Sequence, residues 1–222
     1  MKTSIIIRTK NEEGYLGRTL NAIRLQKKKC DELIVVDDNS TDNTLRIASR
    51  FKCNIVKIPP GRFTYGYALN EGIRRTTGEA ITIISGHCIP VNDMWLNNLL
   101  KELYDSRVAG AYGKQEPLPD SNDFDKRDLW TTFGIERRVQ SKDYFFHNAN
   151  SIISRKAWLE CPFDEEISGV EDRLWAKHVL SRGYKIVYTP EAGVYHYHGI
   201  NQSQNIDRAK RTVKVIKMIH GI

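Results

Sequence analysis

Leu33-Ile34-Val35-Val36-Asp37-Asp38-Asn39-Ser40-Thr41-Asp42 is the stretch on which the fold turns. Four branched apolar residues in a row suit a strand buried on both faces, as in a parallel sheet. The polar block that follows has the composition of a turn running into a helix, since Asp, Asn, Ser and Thr favour turns and helix caps. Working upstream, Ser4–Ile7 is a second such strand, ending at Arg8-Thr9-Lys10-Asn11-Glu12. Between the two strands Leu16, Leu20, Ala22 and Ile23 recur at helical spacing after the polar start Asn11-Glu12-Glu13. Working downstream, the pattern predicts a helix over 43–51, a strand at Asn54–Lys57 and a break at Pro59-Pro60-Gly61. A helix over 65–76, a fourth strand at Ala80–Ile84 and a helix at Asn92–Tyr104 come next. Strands alternating with helices at this spacing predict a parallel sheet covered by helices.

The rhythm breaks between Glu116 and Lys142, where Pro117, Pro119, acidic side chains and scattered aromatics show no clean period. The expectation there is an irregular connection of the kind that covers binding sites. Order returns with strands at Ala149–Ile153, Lys185–Tyr188 and Val194–His198 and a helix over Val170–Ser181.

The 222 residues suffice for one large domain with a proper core. With 40% hydrophobic and 27% charged residues the chain is not a disordered polyelectrolyte. No apolar run approaches the ~20 residues that span a bilayer, and Met1–Ile7 is too short for a signal-peptide core. Cys30, Cys53, Cys88 and Cys161 are widely spread and make no CxxC pair, which excludes the usual zinc spacing and a disulfide framework. They read as thiols in a reducing compartment, so the expected location is cytoplasmic. The net charge is +7, but Arg208, Lys210, Arg211, Lys214 and Lys217 against Asp207 place +4 of it in residues 201–222. A nearly neutral body with a basic tail does not point to a nucleic-acid partner.

Ligands of open parallel sheets bind beyond the carboxyl ends of the strands. The polar residues there fall in five clusters: Arg8 to Glu12, Asp37 to Ser40, Ser85 to His87, Glu171-Asp172, and His196 with His198. Any one of them is accounted for by turn or capping chemistry; their convergence on one edge suggests a site.

With these residues in view, Ile5-Ile6-Ile7-Arg8-Thr9-Lys10-Asn11-Glu12 followed by Val36-Asp37-Asp38-Asn39-Ser40 resembles the opening of glycosyltransferase family 2. The likeness extends through Ala68-Leu69-Asn70-Glu71-Gly72 and Trp95 to Glu171-Asp172, about residues 3–198. It implies an α/β fold of GT-A type, with a Rossmann-like, mostly parallel central sheet covered by helices. Residues 1–200 would form a single domain, about 1–115 the nucleotide-sugar half and 116–200 the acceptor half, with 201–222 a basic C-terminal helix. Thr9, Glu12 and Asp38 would line the base and ribose pocket, and Ser85 would be a further donor-binding residue. Many members carry an arginine where this chain has Leu69, so Arg62 or Arg8 would have to supply that charge.

The resemblance is weaker at the metal motif. The family's Asp-x-Asp is replaced by Ser85-Gly86-His87-Cys88, which is similar to the Asp-x-His motif of polypeptide N-acetylgalactosaminyltransferases, followed as there by a Trp-Leu helix at Trp95-Leu96. By that likeness His87 and a later histidine, His196 or His198 with His196 favoured, would ligate Mn²⁺ or Mg²⁺. A pair of imidazoles favours Mn²⁺. Asp172 matches the family's general base, which deprotonates the acceptor hydroxyl in inverting transfer. Glu171, Trp130 and Asn150 are the candidate acceptor contacts.

The implied activity is inverting transfer of a sugar from a nucleoside-diphosphate donor to a hydroxyl of a glycan or lipid-linked acceptor, in cell-surface polysaccharide or glycolipid synthesis. The alternative is a non-catalytic relative that has lost its metal carboxylates. A nucleotidyltransferase ranks below both, because residues 1–20 lack a glycine-rich basic loop. The tail, tested as a helix, places Ile206, Ala209, Val213 and Ile216 opposite Lys210, Arg211 and Lys214. That division suits either a membrane-surface helix or an ordinary terminal helix docked on the body.

Overall fold

A computed structural model describes residues 1–167, 169–200 and 206–220, with Arg208, Arg211 and residues 218–220 described in backbone only. Ser168 and the stretches 201–205 and 221–222, parts of the expected Glu-Asp approach and C-terminal helix, lie outside the described residues. The strands are β1 (Thr3–Thr9), β2 (Glu32–Asp37), β3 (Asn54–Lys57), β4 (Ala80–Ser85), β5 (Cys88–Pro90), β6 (Val108–Pro117), β7 (Arg138–Gln140), β8 (Asn150–Ser154) and β9 (Lys185–His196). The helices are α1 (Leu16–Arg24), α2 (Thr44–Arg50), α3 (Tyr65–Arg74), α4 (Trp95–Leu100), α5 (Asp123–Thr132), α6 (Arg155–Glu160), α7 (Glu171–Ser181) and α8 (Ile206–His220).

The sheet order is β3-β2-β1-β4-β8-β6-β9-β5, with β7 paired to β9. β3, β2, β1 and β4 are mutually parallel, and β8 enters antiparallel between β4 and β6. Alternation along β1 divides the core. Ile6 packs with α3, α6 and α7 through Leu69, Trp158 and Trp175, whereas Ile5 and Ile7 pack with α1 and α4 through Leu20 and Trp95. Side chains at i and i+2 share a face, so a strand with a helical layer on each side is apolar at consecutive positions, here Ile5 to Ile7. Gly72 lets α3 lie close against this sheet: a Cβ there would meet Val36 Cγ2 at 2.8 Å and Ile6 Cγ2 at 3.0 Å.

The stretch from Glu116 to Lys142 is more ordered than expected. It holds the end of β6, α5 and β7. α5 is capped by the Asn122 side chain, which accepts from the Asp125 N–H, and of its apolar residues it buries Leu129 while Phe124 and Trp130 stay exposed. So few apolar residues leave no periodicity to read. The two strands expected at Lys185–Tyr188 and Val194–His198 are one strand, β9, ending at His196. Its register against β6 shifts between Gly113 and Gln115, where the chain looks interrupted in sequence.

Candidate active site

The loops after β1 and β2 interlace at the carboxyl edge of the sheet. Asn11 (φ 53°) and Asn39 (φ 54°) adopt left-handed backbone, which asparagine tolerates better than most residues. The Asn11 Oδ1 accepts from the Thr41 N–H at 2.8 Å, and Asp37 Oδ2 accepts from the Ser40 N–H at 3.1 Å. The Glu12 N–H donates to Thr44 Oγ1 at 2.7 Å. Asp37, Asn39, Ser40 and Asn11 therefore build the rim. Asp38, buried and paired with Lys10 Nζ at 2.7 Å, looks into the cleft.

That cleft has a volume of about 490 Å³, and Thr9, Glu12, Asp38, Ser85, His87 and His196 all line it. Six residues nominated from the sequence are thus brought together. Glu12 is turned toward the histidines: its Oε1 lies 2.5 Å from His87 Nδ1. Gly86 permits this approach, since a Cβ there would stand 2.9 Å from Thr9 Cγ2 and 3.2 Å from Glu12 Cγ. The His87 and His196 Nε2 atoms are 3.1 Å apart, and the donor atoms of His87, His196 and His198 all lie within 4.8 Å of one another. Aromatic walls that sequence reasoning missed are Tyr15, Phe63, Tyr65 and Tyr197. The rings of Tyr15 and Tyr197 are 4.6 Å apart.

A second, larger cleft of about 960 Å³ adjoins the first through Arg8 and Tyr65, which line both. Glu171 and Asp172 open α7 at its floor. Asp172 accepts from the backbone N–H groups of Asn148 (3.2 Å) and Arg173 (2.8 Å). Burial, reinforced by the Asp172 charge, pushes Glu171 up to about 7. Burial also raises Asp172, against the pull of Arg173, these N–H groups and Arg8. A buried pair of carboxylates prefers to hold a proton between them at neutral pH. Such a pair at a cleft floor is equipped to take a proton from a bound hydroxyl.

Three nominated residues lie elsewhere. Arg62 is exposed, stacks over Tyr67 at 5.3 Å and lines neither cleft. The arginine at the site is Arg8, whose guanidinium sits 4.4 Å over the Tyr65 ring and whose Nε is buried with no hydrogen-bond partner among the described residues. Trp130 is 59% exposed on α5, also outside both clefts. Asn150 is fully buried and serves the scaffold: it accepts from Trp95 Nε1 at 2.8 Å and donates to the Lys114 and Ala192 carbonyls. The residues at this point of the chain that line the larger cleft are instead His147 and Asn148. Leu69 is fully buried in the core and could not be replaced by an arginine reaching the cleft.

Comparison with known proteins identifies the family and the fold. The sequence profile of glycosyl transferase family 2 matches residues 4–160. The chain belongs to glycosyl transferase family 2. It is 28% identical over 199 residues to the O-antigen chain rhamnosyltransferase WbaN of Salmonella anatum, covering 85% of this chain and 63% of that one. It is 26% identical over 220 residues to RfbN of Salmonella typhimurium, also an O-antigen chain rhamnosyltransferase, covering 94% and 70%. The chain therefore spans about two thirds of the length of these relatives. Among solved structures, the mannosyltransferase PcManGT of Pyrobaculum calidifontis, in complex with GDP-Man and Mn²⁺, superposes with a TM-score of 0.68. That match is at 22% identity and covers 88% of this chain and 56% of that one, a likeness of fold. No helix among the described residues is long and apolar enough to cross a membrane.

Proposed function

We propose that this chain is an inverting glycosyltransferase that moves a sugar from a nucleoside-diphosphate donor onto a hydroxyl of a glycan or lipid-linked acceptor, in cell-surface polysaccharide synthesis. One observation carries the reading: a cleft lined by Thr9, Asp38 and histidines opens through Arg8 onto a second cleft floored by Glu171 and Asp172. Family membership and the O-antigen relatives support the reaction class and its setting. Residues 1–115 would supply the donor half and 116–200 the acceptor half.

In this account Thr9 and Asp38 hold the nucleoside, where a buried carboxylate accepting from a base N–H or ribose hydroxyl discriminates strongly. Arg8 faces the diphosphate and draws the sugar between the two clefts. Asp172 takes the proton from the acceptor hydroxyl as that oxygen attacks the anomeric carbon, on the side opposite the departing diphosphate. Glu171 positions the acceptor. The imidazoles of His87 and His196 are a fitting donor set for a divalent ion, Mn²⁺ before Mg²⁺. When bound, such an ion neutralises charge on the departing diphosphate.

The acceptor cleft has a further wall. Ala209, Val213 and Ile216 of α8 line it together with Lys210, Lys214 and Lys217. An amphipathic basic helix beside Asp172 suits an acceptor carried at an anionic lipid surface, so the proposed place of work is the cytoplasmic face of a membrane, with no nucleic-acid partner. Asp172→Asn tests the reading. Transfer should be abolished with nucleotide-sugar affinity nearly unchanged; turnover equal to wild type would remove Asp172 from the base role.

A further inference from the structure

The three histidines are held in a way that pairing alone does not require. His87 Nδ1 faces the Glu12 carboxylate at 2.5 Å, and His198 Nδ1 lies 2.9 Å from the Gly199 carbonyl. A carbonyl and a carboxylate can only accept, so both rings donate from Nδ1, which makes Nε2 the lone-pair nitrogen whenever the ring is neutral. This is the arrangement that ligating histidines adopt, with the outer nitrogen donating to a carboxylate or backbone carbonyl. The Nε2 atoms of His87 and His196 are 3.1 Å apart. Two nitrogens about 2.1 Å from one ion, at adjacent positions, stand about 3.1–3.4 Å from each other. The third imidazole joins from beyond the end of β9, its ring centroid 4.8 Å from that of His87 and 4.5 Å from that of His196. Among the described residues no carboxylate joins the set: position 85 is serine, and Glu12 is occupied by the outer nitrogen of His87.

We propose that His87, His196 and His198 form a three-imidazole site that loads a transition-metal ion of the Mn²⁺, Co²⁺ or Zn²⁺ class before any nucleotide arrives, and that rejects Mg²⁺. Glu12 is a positioning residue of that site, fixing the His87 tautomer, and not a ribose contact. The selectivity follows from the donors. Mg²⁺ is hard, dehydrates reluctantly and is held through carboxylate and phosphate oxygens. Imidazole suits later first-row ions, with affinity rising from Mn²⁺ through Co²⁺, and three neutral nitrogens offer Mg²⁺ no charge. A site whose ligands all come from the chain does not wait for diphosphate oxygens. The inference rests on the reading that His87 and His196 hold a metal ion, and is independent of the role of Asp172.

The experiment uses the full chain stripped with chelator and titrated with Co²⁺ in the absence of nucleotide, followed by visible absorption and by thermal stability. The expected result is saturable absorption with one ion per chain, displaced by Zn²⁺ and undisturbed by a hundredfold excess of Mg²⁺. His198→Gln should weaken Co²⁺ binding at least tenfold, and Glu12→Gln by about 10–100-fold, the usual effect of losing an outer partner. Circular dichroism confirms that each variant is folded; should His198→Gln fail, His198→Asn is read in its place. Asp172→Asn should bind Co²⁺ as wild type does. Absence of Co²⁺ absorption, or equal competition by Mg²⁺, overturns the site. Unchanged Co²⁺ affinity in Glu12→Gln with a raised donor KM returns Glu12 to the ribose. Co²⁺ binding as described, alongside an Asp172→Asn variant that still transfers, leaves this inference standing and removes the general base instead.

Discussion

Glu171→Gln should make the protein more stable, and only above a definite pH. Glu171 is 3% exposed at the start of α7, and burial with the neighbouring Asp172 charge lifts it from 4.5 to about 7. A carboxylate whose folded pKa is raised contributes its full stability below the unfolded value and loses it as pH rises through the folded one. Below about pH 4.5 Glu171 is neutral in both states and the substitution changes little. Between 4.5 and about 7 the unfolded chain ionises while the folded protein keeps its proton, so stability falls with pH, and above about 7 the folded carboxylate ionises too and the penalty is complete. That rise corresponds to up to about 3 kcal/mol. For a chain of this size it is on the order of 6–10 °C in Tm. Glutamine keeps the shape and an acceptor oxygen but has no charge to desolvate. Urea unfolding of both proteins from pH 4.5 to 8.5 measures the difference, with the m-value as a check on two-state behaviour. The two curves should diverge progressively with pH. Parallel curves, or a variant less stable than wild type at pH 8, would refute the buried-pair account of this cleft floor.

Arg8→Met removes an arginine that lines both clefts. Donor KM should rise about 10–100-fold, the usual effect of losing a charge-assisted contact, and the acid limb of the pH–rate profile should move to higher pH because Arg8 opposes the rise of both carboxylates; an unmoved profile with unchanged KM removes Arg8 from the site. Replacing Lys210, Lys214 and Lys217 together by Gln should reduce partition onto anionic vesicles roughly 100-fold, at ~1 kcal/mol per residue near the surface, without affecting zwitterionic ones; equal sedimentation with both vesicle types contradicts a membrane role for α8. Leu69→Arg, which restores the residue common in the family, should lower thermal stability by several kcal/mol because the charge enters a fully buried position. A folded Leu69→Arg protein with tighter donor binding would show that the core there yields as the packing says it cannot.

Much of the donor edge was legible because its chemistry is local. Consecutive apolar residues in β1 and β2 and the turn residues after them specify strand, loop and helix without reference to the rest of the chain. What escaped depends on contacts far apart in sequence. Nothing local separates Arg8 from Arg62; one ends a buried strand beside Tyr65 and the other follows a proline turn into solvent. Asn150 has the amide of a sugar-binding residue, but its partners are Trp95, Lys114 and Ala192, each more than 30 residues away. Sequence alone also could not separate His196 from His198. Strand periodicity puts both on one face, and the bend after β9 brings both to His87. β6 was unreadable for a different reason: Ala109-Gly110-Ala111 and Gly113 carry none of the branched residues that mark a strand.

Single-displacement transfer with Asp172 as base fixes the anomeric configuration of the product. With a competent nucleotide sugar and acceptor, proton NMR of the newly formed linkage during the first turnovers should show the configuration opposite to that of the donor. A product that keeps the donor's configuration would contradict the account, because attack from the face of Asp172 opposite the diphosphate cannot give it.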